Sequence, residues 1–328
     1  MRMFSFALTV ALILAAPTAA QQRMERAAPS TAPASFTAAT QQQTIDSVAA
    51  LLERMYPAAD TGVLIADHLR ERFAAGAFAS ATEPAAFVSA LTREMQAVNG
   101  DRHLNVRLAG TGPGRRARPS PESEREANYY LSRPEVLEGN VGYLKVGMLS
   151  RHPEALEVLG ASLRELEHTD AIIIDLRGTP GGSPMMANGI ISHFTEPGIP
   201  SLRVSDRYMN ETYVRETLDQ VPGPRRTDVP LYVLVDSRSA SAAEDVPFVL
   251  QNLGRATIVG ERTAGAGRNN VLEDVGNGVI ASISVSRVQD PATGREWELV
   301  GVQPDIAVPA AQALETARAH AVRQRSAT

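Results

Sequence analysis

A serine that follows a buried strand is the side chain of this sequence best placed to act as a nucleophile. Residues 231–235 form an apolar run, small residues follow, and Ser241 stands directly before a helix predicted over 242–253. The unpaired N–H groups and the positive dipole end of such a helix point at this corner. The N–H of Ala242 could therefore stabilise an oxyanion formed when the Ser241 hydroxyl attacks a carbonyl. Serine is also a preferred helix N-cap, which leaves a purely structural role open for Ser241.

A glycine pair after a second buried strand offers further N–H donors. A strand is predicted over 171–176, Gly181 and Gly182 lie in the turn after it, and a helix is predicted over 184–194. Glycine allows a positive φ and a close approach of the backbone to a ligand. These N–H groups could complete an oxyanion hole, in which one donor typically contributes about 3 kcal/mol. A phosphate cradle is the rival use, but the P-loop and GxGxxG patterns are both missing, and an ordinary turn is the third alternative.

Five short blocks follow one another in the order found in a single peptidase family. They read VGYL at 141–144, DLRGTPGG at 175–182, SASAAE at 239–244, IVGERT at 258–263 and GVQPDI at 301–306. Over 139–308 the chain resembles the S41 family of serine peptidases, the tail-specific or C-terminal-processing proteases, with relatives in tricorn core and interphotoreceptor retinoid-binding protein. The resemblance implies an α/β fold with a crotonase-like (ClpP/crotonase) β/α core after a small helical domain, and it assigns the nucleophile to Ser241.

The resemblance offers two ways to activate this serine, and the sequence fits only one of them. In the processing proteases the base is a lysine in a Gly-Lys-Gly turn, but Ala266 holds that position here and the single lysine, Lys145, lies elsewhere. The design that resembles tricorn core takes a histidine from the helical part and a late glutamate. It implies His103, in an Asp-x-His motif, as the general base, since imidazole titrates near neutral pH. It implies Glu298 as a residue that positions the far side of the site.

Several alternatives stay open for these site residues. His103 could be a satisfied polar residue at a domain junction, and Glu296 lies close enough in sequence to be confused with Glu298. His193, on the helix after the glycine turn, is the nearest rival histidine. Asp101 and His103 suggest metal ligands, but no third ligand stands at a persuasive spacing, so neither a metal nor a cofactor is predicted.

The composition excludes several classes of protein. A formal net charge of −5 and a pI of about 5.8 argue against a nucleic-acid-binding protein, which usually carries a basic face. Hydrophobic residues at 44% and charged residues at 21% are typical of a soluble globular chain rather than a disordered one. The complete lack of cysteine excludes disulfides, a thiol nucleophile and a thiolate metal site.

The pattern of the chain divides it into six segments. Residues 1–20 read as a secretory signal cleaved near Ala20, with a membrane anchor as the alternative, although the apolar run is short for a membrane span. The remaining segments are a flexible spacer at 21–38, a helical N-terminal domain at 39–103, a strand and linker at 104–138, the α/β core at 139–311, and a C-terminal helix and tail at 312–328. Within the core, residues 279–288 alternate like one half-buried strand.

Two functions of different classes follow from these features. The first is an exported serine endopeptidase, periplasmic or secreted, that cleaves polypeptides through an acyl-enzyme on Ser241 and lacks a PDZ domain, because 104–138 is too short to hold one. It would have no nucleic-acid partner and no membrane span after signal cleavage, and a homo-oligomer is possible. The second is a carrier of apolar ligands resembling the retinoid-binding relatives, for which the set of Ser241, His103 and Glu298 has no physical use.

Overall fold

The computed structural model describes residues 33–110 and 120–327, so the predicted signal over 1–20 and most of the predicted spacer lie outside the described residues. The helices are α1 (Ala38–Met55), α2 (Ala59–Ala74), α3 (Pro84–Ala97), α4 (Pro121–Glu126), α5 (Glu154–Glu165), α6 (Pro184–His193), α7 (Ala242–Asn252) and α8 (Ala313–Ala327). The strands are β1 (Asn105–Leu108), β2 (Glu135–Leu137), β3 (Val141–Lys145), β4 (Ala171–Asp175), β5 (Pro200–Asp206), β6 (Glu211–Glu216), β7 (Leu231–Val235), β8 (Thr257–Gly260), β9 (Asn270–Asp274), β10 (Val279–Ser284), β11 (Ser286–Gln289) and β12 (Ile306–Ala307).

A six-stranded sheet, which we call the core sheet, organises the second half of the chain. Its order is β12-β8-β7-β4-β3-β2, and only β2 runs antiparallel to its neighbour. Side chains of a strand alternate between the two faces. Ile172 and Ile174 of β4 therefore pack against α5, α6 and α7, whereas Ala171 and Ile173 pack against α8. Because helices cover both faces, the central strands are apolar throughout rather than alternating.

The three N-terminal helices share their core with two strands from far along the chain. We call α1, α2, α3, β1, β9 and β10 the N-terminal lobe. Phe36 and Phe87 stack at 4.7 Å between ring centroids, and Val279, Ala281 and Ile283 of β10 belong to the same hydrophobic cluster. Strand β1 pairs with β10, and β10 pairs with β9. The lobe thus depends on residues that the sequence analysis grouped with the α/β core by their position along the chain.

The prediction of one strand over 279–288 is wrong. The chain breaks at Val285, and β10 and β11 belong to different sheets, because β11 pairs with β5 and β5 with β6. The Val285 N–H donates to the Asn269 carbonyl and so ends the β9-β10 pairing, whereas the Val285 carbonyl accepts from the Arg207 N–H and so begins the β5-β11 pairing. Alternation places Val279 to Val285 in the lobe core, whereas Val288 packs into the core below α7.

None of the helices within 33–110 and 120–327 is both long enough and apolar enough to cross a bilayer.

Candidate active site

Two turns at the carboxyl end of the core sheet lie side by side because β4 and β7 are neighbouring parallel strands. An Asp236 carboxylate oxygen accepts the Gly178 N–H at 2.9 Å. The Ala240 N–H donates to the Thr179 carbonyl at 3.0 Å. These bonds join the turn that precedes α6 to the turn that precedes α7, so the start of each helix has a fixed position relative to the other.

Ser241 occupies the N-cap of α7 in a backbone conformation that residues with a side chain seldom adopt. Its φ is +56° and its ψ is −133°, and its side chain is half-buried. Such a conformation costs on the order of 1–3 kcal/mol and persists only where neighbours enforce it. The Ser241 N–H donates to a Glu244 carboxylate oxygen at 2.9 Å, which is one of those restraints. Strain of this kind is common where a side chain must be presented to a substrate.

The glycine pair lies against Ser241 and leaves N–H donors free. A Cβ on Gly181 would stand 2.8 Å from the Ser241 Cβ and 3.3 Å from the Ala242 nitrogen. The Gly181 carbonyl accepts the Leu149 N–H at 2.9 Å, and a Cβ on Gly182 would stand 2.0 Å from the Leu149 carbonyl oxygen. Within the described ranges, no hydrogen bond uses the N–H of Gly182 or Ala242. The predicted oxyanion residues and the predicted nucleophile therefore form one group.

A second group, which we call the His103 cluster, contains Asp101, His103 and Glu298. One side-chain nitrogen or oxygen from each lies within 4.8 Å of the others. His103 Nδ1 is 3.5 Å from a carboxylate oxygen of Asp101, which is fully buried. A Glu298 carboxylate oxygen accepts the Gly267 N–H at 2.7 Å. The N-terminal lobe supplies the histidine and the aspartate, and the segment before β12 supplies the glutamate.

Arg268 joins the carboxylates of the His103 cluster, and the sequence analysis missed it. Its Nη1 donates to Asp101 at 3.0 Å and to the Tyr56 hydroxyl, and its guanidinium lies over the Tyr56 ring at 5.0 Å. Its Nε is 3.8 Å from Glu298. A single arginine thus compensates two buried carboxylates from different parts of the chain. The only signal in the sequence is an arginine directly after the glycine-rich turn at 264–267.

The carboxyl group of Asp101 stays charged in this environment. Burial by itself would raise its pKa, but hydrogen bonds with His103 and Ser284 and the positive charge of Arg268 hold the pKa well below its usual range. The Ser284 hydroxyl donates to Asp101 at 2.7 Å, and the backbone N–H of His103 donates to it at 2.9 Å. Asp101 is therefore a fixed negative charge beside the imidazole of His103.

The pKa of Glu298 is raised to about 7, first by burial and then by the charge of Asp101, while Arg268 and His103 oppose the rise. The folded state therefore binds the proton more tightly than the unfolded chain. The stability that this provides is complete below about pH 4 and is lost as the pH rises through 7. We expect Glu298→Gln to become more stable than the unchanged protein by up to about 3 kcal/mol between pH 5 and pH 8.

Urea unfolding at pH 5 and at pH 8 measures this difference in the free energy of unfolding. Glu296→Gln is the matched control, because the Glu296 carboxylate forms a partly exposed ion pair with Arg287 at 2.9 Å. If Glu298→Gln and Glu296→Gln changed the pH dependence of the free energy of unfolding equally, the prediction would be contradicted.

The donors of the His103 cluster also suit a cation. In the sequence, no third ligand stood at a persuasive spacing from Asp101 and His103. Glu298 supplies that third donor. The Arg268 guanidinium, however, already lies 3.0 Å from Asp101 and 3.8 Å from Glu298. Since the arginine supplies the positive charge there, we assign no metal to this cluster.

Residues 263–268 connect the two groups. The carboxylate of Glu244, which accepts the Ser241 N–H, also accepts the N–H groups of Gly265 and Ala266 at 2.8 Å each. The next N–H along the chain, that of Gly267, donates to Glu298. Ala266, at the position where the processing proteases carry their lysine, therefore contributes its backbone to the link between the two groups.

The two rivals named in the sequence analysis lie in other surroundings. The ring nitrogens of His193 lie 2.7 Å from the Gly189 carbonyl oxygen and 2.8 Å from that of Pro222, and the residue is fully buried. Glu296 pairs with Arg287 instead of joining the His103 cluster. Of the two glutamates, Glu298 is the one that lies beside His103.

Comparison with known proteins gives a consistent picture. Residues 140–308 match Peptidase family S41, and residues 35–141 match the N-terminal domain of Peptidase_S41 in eukaryotic IRBP. The carboxy-terminal processing protease CtpB of Bacillus subtilis is 27% identical over 181 residues, which are 55% of this chain and 36% of that protein. The chain thus covers little more than a third of the length of this curated relative.

Solved structures share the architecture. A lipoprotein from Streptococcus agalactiae has a TM-score of 0.58 at 15% identity, over 87% of this chain and 96% of that one. The photosystem II D1 C-terminal processing protease has a TM-score of 0.54 at 15% identity, over 82% and 93% of the two chains. These similarities confirm the predicted fold class, a mixed α/β protein with a central parallel sheet and a helical N-terminal region.

Proposed function

The chain belongs to peptidase family S41, and from that premise we propose that it is a serine endopeptidase that uses a histidine as general base. The observation that carries the proposal is the arrangement just described. A strained serine stands beside free N–H donors, and residues 263–268 hydrogen-bond to the glutamates of both groups. This arrangement supplies a nucleophile, oxyanion donors and a base with a carboxylate partner.

The reaction follows from these positions. The Ser241 hydroxyl attacks the peptide carbonyl while His103 accepts its proton, and the N–H groups of Ala242, Gly181 and Gly182 bind the oxyanion. The protonated imidazole then gives its proton to the leaving amine. Water then attacks the acyl carbon while His103 takes its proton. The ester bond to Ser241 breaks, His103 returns the proton to the Ser241 oxygen, and the product leaves as a carboxylic acid.

Two carboxylates orient and stabilise the imidazolium in this scheme. Asp101 is charged and 3.5 Å from His103 Nδ1, which suits the electrostatic task. Glu298 holds the far side of the cluster through the Gly267 N–H. A lysine base is not part of the proposal. The single lysine, Lys145, is the last residue of β3, and its ammonium group donates to the Arg177 carbonyl at 3.1 Å.

The setting proposed for this activity is outside the cytoplasm, in the periplasm or the medium, on polypeptide substrates. The support is the composition of residues 1–20, which fits a secretory signal. The proposal includes no PDZ domain between His103 and the core sheet, since residues 104–138 are too few to hold one and their described part forms β1, α4, a 3₁₀ turn at Asn128–Tyr130 and β2. Recognition of substrate then falls to the core and the N-terminal lobe.

The activity is tested with an unfolded polypeptide such as reduced, carboxymethylated casein. We expect cleavage at internal bonds and its loss after treatment with a fluorophosphonate. The carrier alternative has one observation in its favour, a cavity of about 1180 Å³ partly lined by Phe248, Trp297 and Val302. An intact polypeptide, together with saturable uptake of an apolar fluorescent ligand, would replace the peptidase proposal with the carrier.

Gly181→Ala is expected to lower kcat for peptide hydrolysis by about 100-fold, the effect typical of losing one oxyanion donor. The added Cβ would stand 2.8 Å from Ser241 Cβ, and φ of +108° strains any side chain. Gly198→Ala is the matched control, since it also has a positive φ but open space around the Cβ. Steady-state kinetics of the two folded variants measure this difference. Equal kcat values would show that Gly181 does not belong to the oxyanion site.

A further inference from the structure

Strand β6 has an outer edge that no strand of the described residues covers. It is the last strand of the β11-β5-β6 sheet, and every one of its residues except Arg215 is exposed. The apolar side chains of Tyr213 and Val214 are 48% and 41% exposed. An exposed edge strand presents N–H and C=O groups to any extended chain that approaches it.

Two side-chain hydrogen bonds establish which backbone groups of β6 face outwards. The Ser201 hydroxyl, on β5, donates to the Arg215 carbonyl, which therefore faces the partner strand. Asn188 of α6 donates its amide N–H to the Glu216 carbonyl, which faces away. Because successive residues of a strand point to opposite edges, the backbone groups of Val214 and Thr212 also face outwards. Within the described ranges, neither residue has a backbone hydrogen bond on that side.

The direction of β6 along α6 brings its free edge towards the glycine turn. The Leu218 N–H donates to the Ser192 hydroxyl, and Glu216 pairs with Asn188 one turn earlier in the helix. Descending residue numbers on β6 thus follow descending numbers on α6. By this progression, Val214 lies level with the first turn of α6, directly after the glycine pair.

An ion pair brings the same strand to the start of α7. Arg215 Nη1 is 2.8 Å from a carboxylate oxygen of Asp245, which is in the first turn of α7. Ser241 is the N-cap of that helix. Strand β6 therefore lies within the length of an arginine side chain from the first turn of the helix that carries the proposed nucleophile.

We propose that the outer edge of β6 binds the polypeptide substrate as an added β-strand, an inference that rests on the proposed peptidase function. Thr212 and Val214 supply the N–H and C=O groups that pair with the substrate backbone. Main-chain pairing holds the substrate extended and tolerates many sequences. An enzyme that recognises its substrate in this way needs no separate peptide-binding domain. It binds those segments of a polypeptide that are accessible and unfolded.

A cavity beside the strand adds a preference for one substrate side chain. Val214 and Glu216 line the cavity of about 1180 Å³, together with Phe248 and Trp297. In a paired strand, residues opposite each other project to the same face. The substrate residue that pairs with Val214 therefore projects towards this cavity, where a large apolar side chain gains most from burial.

The length of the free edge favours a substrate over a second copy of this chain. Asn188 already occupies the Glu216 carbonyl, so along β6 both the outward N–H and the outward C=O remain only at Thr212 and Val214. Two residues of pairing are little for a stable dimer, whereas they suffice to align a short stretch of substrate beside a nucleophile.

A scan of N-methylated substrates tests the proposal on the unchanged protein. An unstructured peptide with one cleavage site is prepared in versions that carry a single backbone N-methyl group at each position. We expect KM to rise about tenfold or more at alternate positions and to change little at those between, because only every second N–H faces β6. A rise without alternation, or no rise, overturns the proposal.

Val214→Pro supplies the test from the side of the enzyme, since it removes one outward N–H. We expect KM for the peptide to rise about tenfold while fluorophosphonate labelling of Ser241 is unchanged. Val136→Pro, on the exposed edge strand β2, is the matched control and should leave KM within twofold. An unchanged KM in Val214→Pro overturns the proposal, as does a native dimer that this substitution dissociates. Absence of labelling and cleavage in the unchanged protein would instead refute the peptidase function itself.

Discussion

Ser241→Ala is expected to reduce kcat for peptide hydrolysis by about 10⁴-fold or more, the largest single effect that the site allows. Removing the nucleophile eliminates the acyl-enzyme and leaves only what the oxyanion donors and binding contribute. The fold should not suffer, because the Ser241 side chain is half-buried and the N-cap restraint uses the backbone N–H. Steady-state kinetics on an unstructured peptide, with circular dichroism as a check of folding, measure the effect.

Ser237→Ala is the matched control for this prediction. Ser237 belongs to the same connection between β7 and α7 but is exposed to solvent. We expect its kcat and KM to lie within twofold of the unchanged protein. A Ser241→Ala variant that retains a tenth or more of the activity would exclude the acyl-enzyme mechanism at this residue.

His103→Ala should lower kcat by a similar factor, because an unactivated serine hydroxyl is a poor nucleophile. The more informative comparison is the double variant. Residues that act as one unit give strongly non-additive losses, so Ser241→Ala with His103→Ala should be no less active than Ser241→Ala alone. The kcat values of the two single variants and the double variant measure this coupling.

His168→Ala is the control for the histidine substitution, since the His168 side chain is 93% exposed and pairs only with neighbouring Glu167. It should leave kcat unchanged. If the losses of His103→Ala and Ser241→Ala multiplied in the double variant, the two residues would act independently, and a catalytic unit across the two groups would be ruled out.

The core sheet and its helices could be predicted from sequence because local pattern determines them. Continuous apolar runs gave β4 and β7 within a residue of their ends, and the following small residues marked the starts of α6 and α7. Motif order then placed Gly181 and Ser241 at one edge of a parallel sheet. The structure brings these residues into contact, as neighbouring parallel strands require.

The residues that hold Asp101 beside His103 could not be predicted, since tertiary contacts alone bring them together. Tyr56 reads as a helix-terminal aromatic residue, Ser284 as a strand residue, and Arg268 as a loop residue. Their shared contact with Asp101 spans chain separations of 45, 183 and 167 residues. No local pattern encodes such a contact, because each side chain suits its own element equally well without it.

The β5-β6 hairpin escaped prediction for a different reason. Strand β6 is polar and exposed on both faces, so it lacks the period-two alternation that identifies a half-buried strand. The break at Val285 was hidden because β10 is mostly buried, β11 alternates, and a single residue separates them. In both cases the pairing partner decides the structure, and for β11 that partner, β5, is distant in sequence.

Identification of the residue that a fluorophosphonate modifies, with the rate of that modification, tests the central claim most directly. The claim is that an imidazole from the N-terminal lobe activates the hydroxyl at the start of α7. We predict one adduct, on Ser241 by peptide mass spectrometry, formed about 100-fold or more slowly in His103→Ala. An adduct on another residue, or equal rates in the two proteins, would contradict the account.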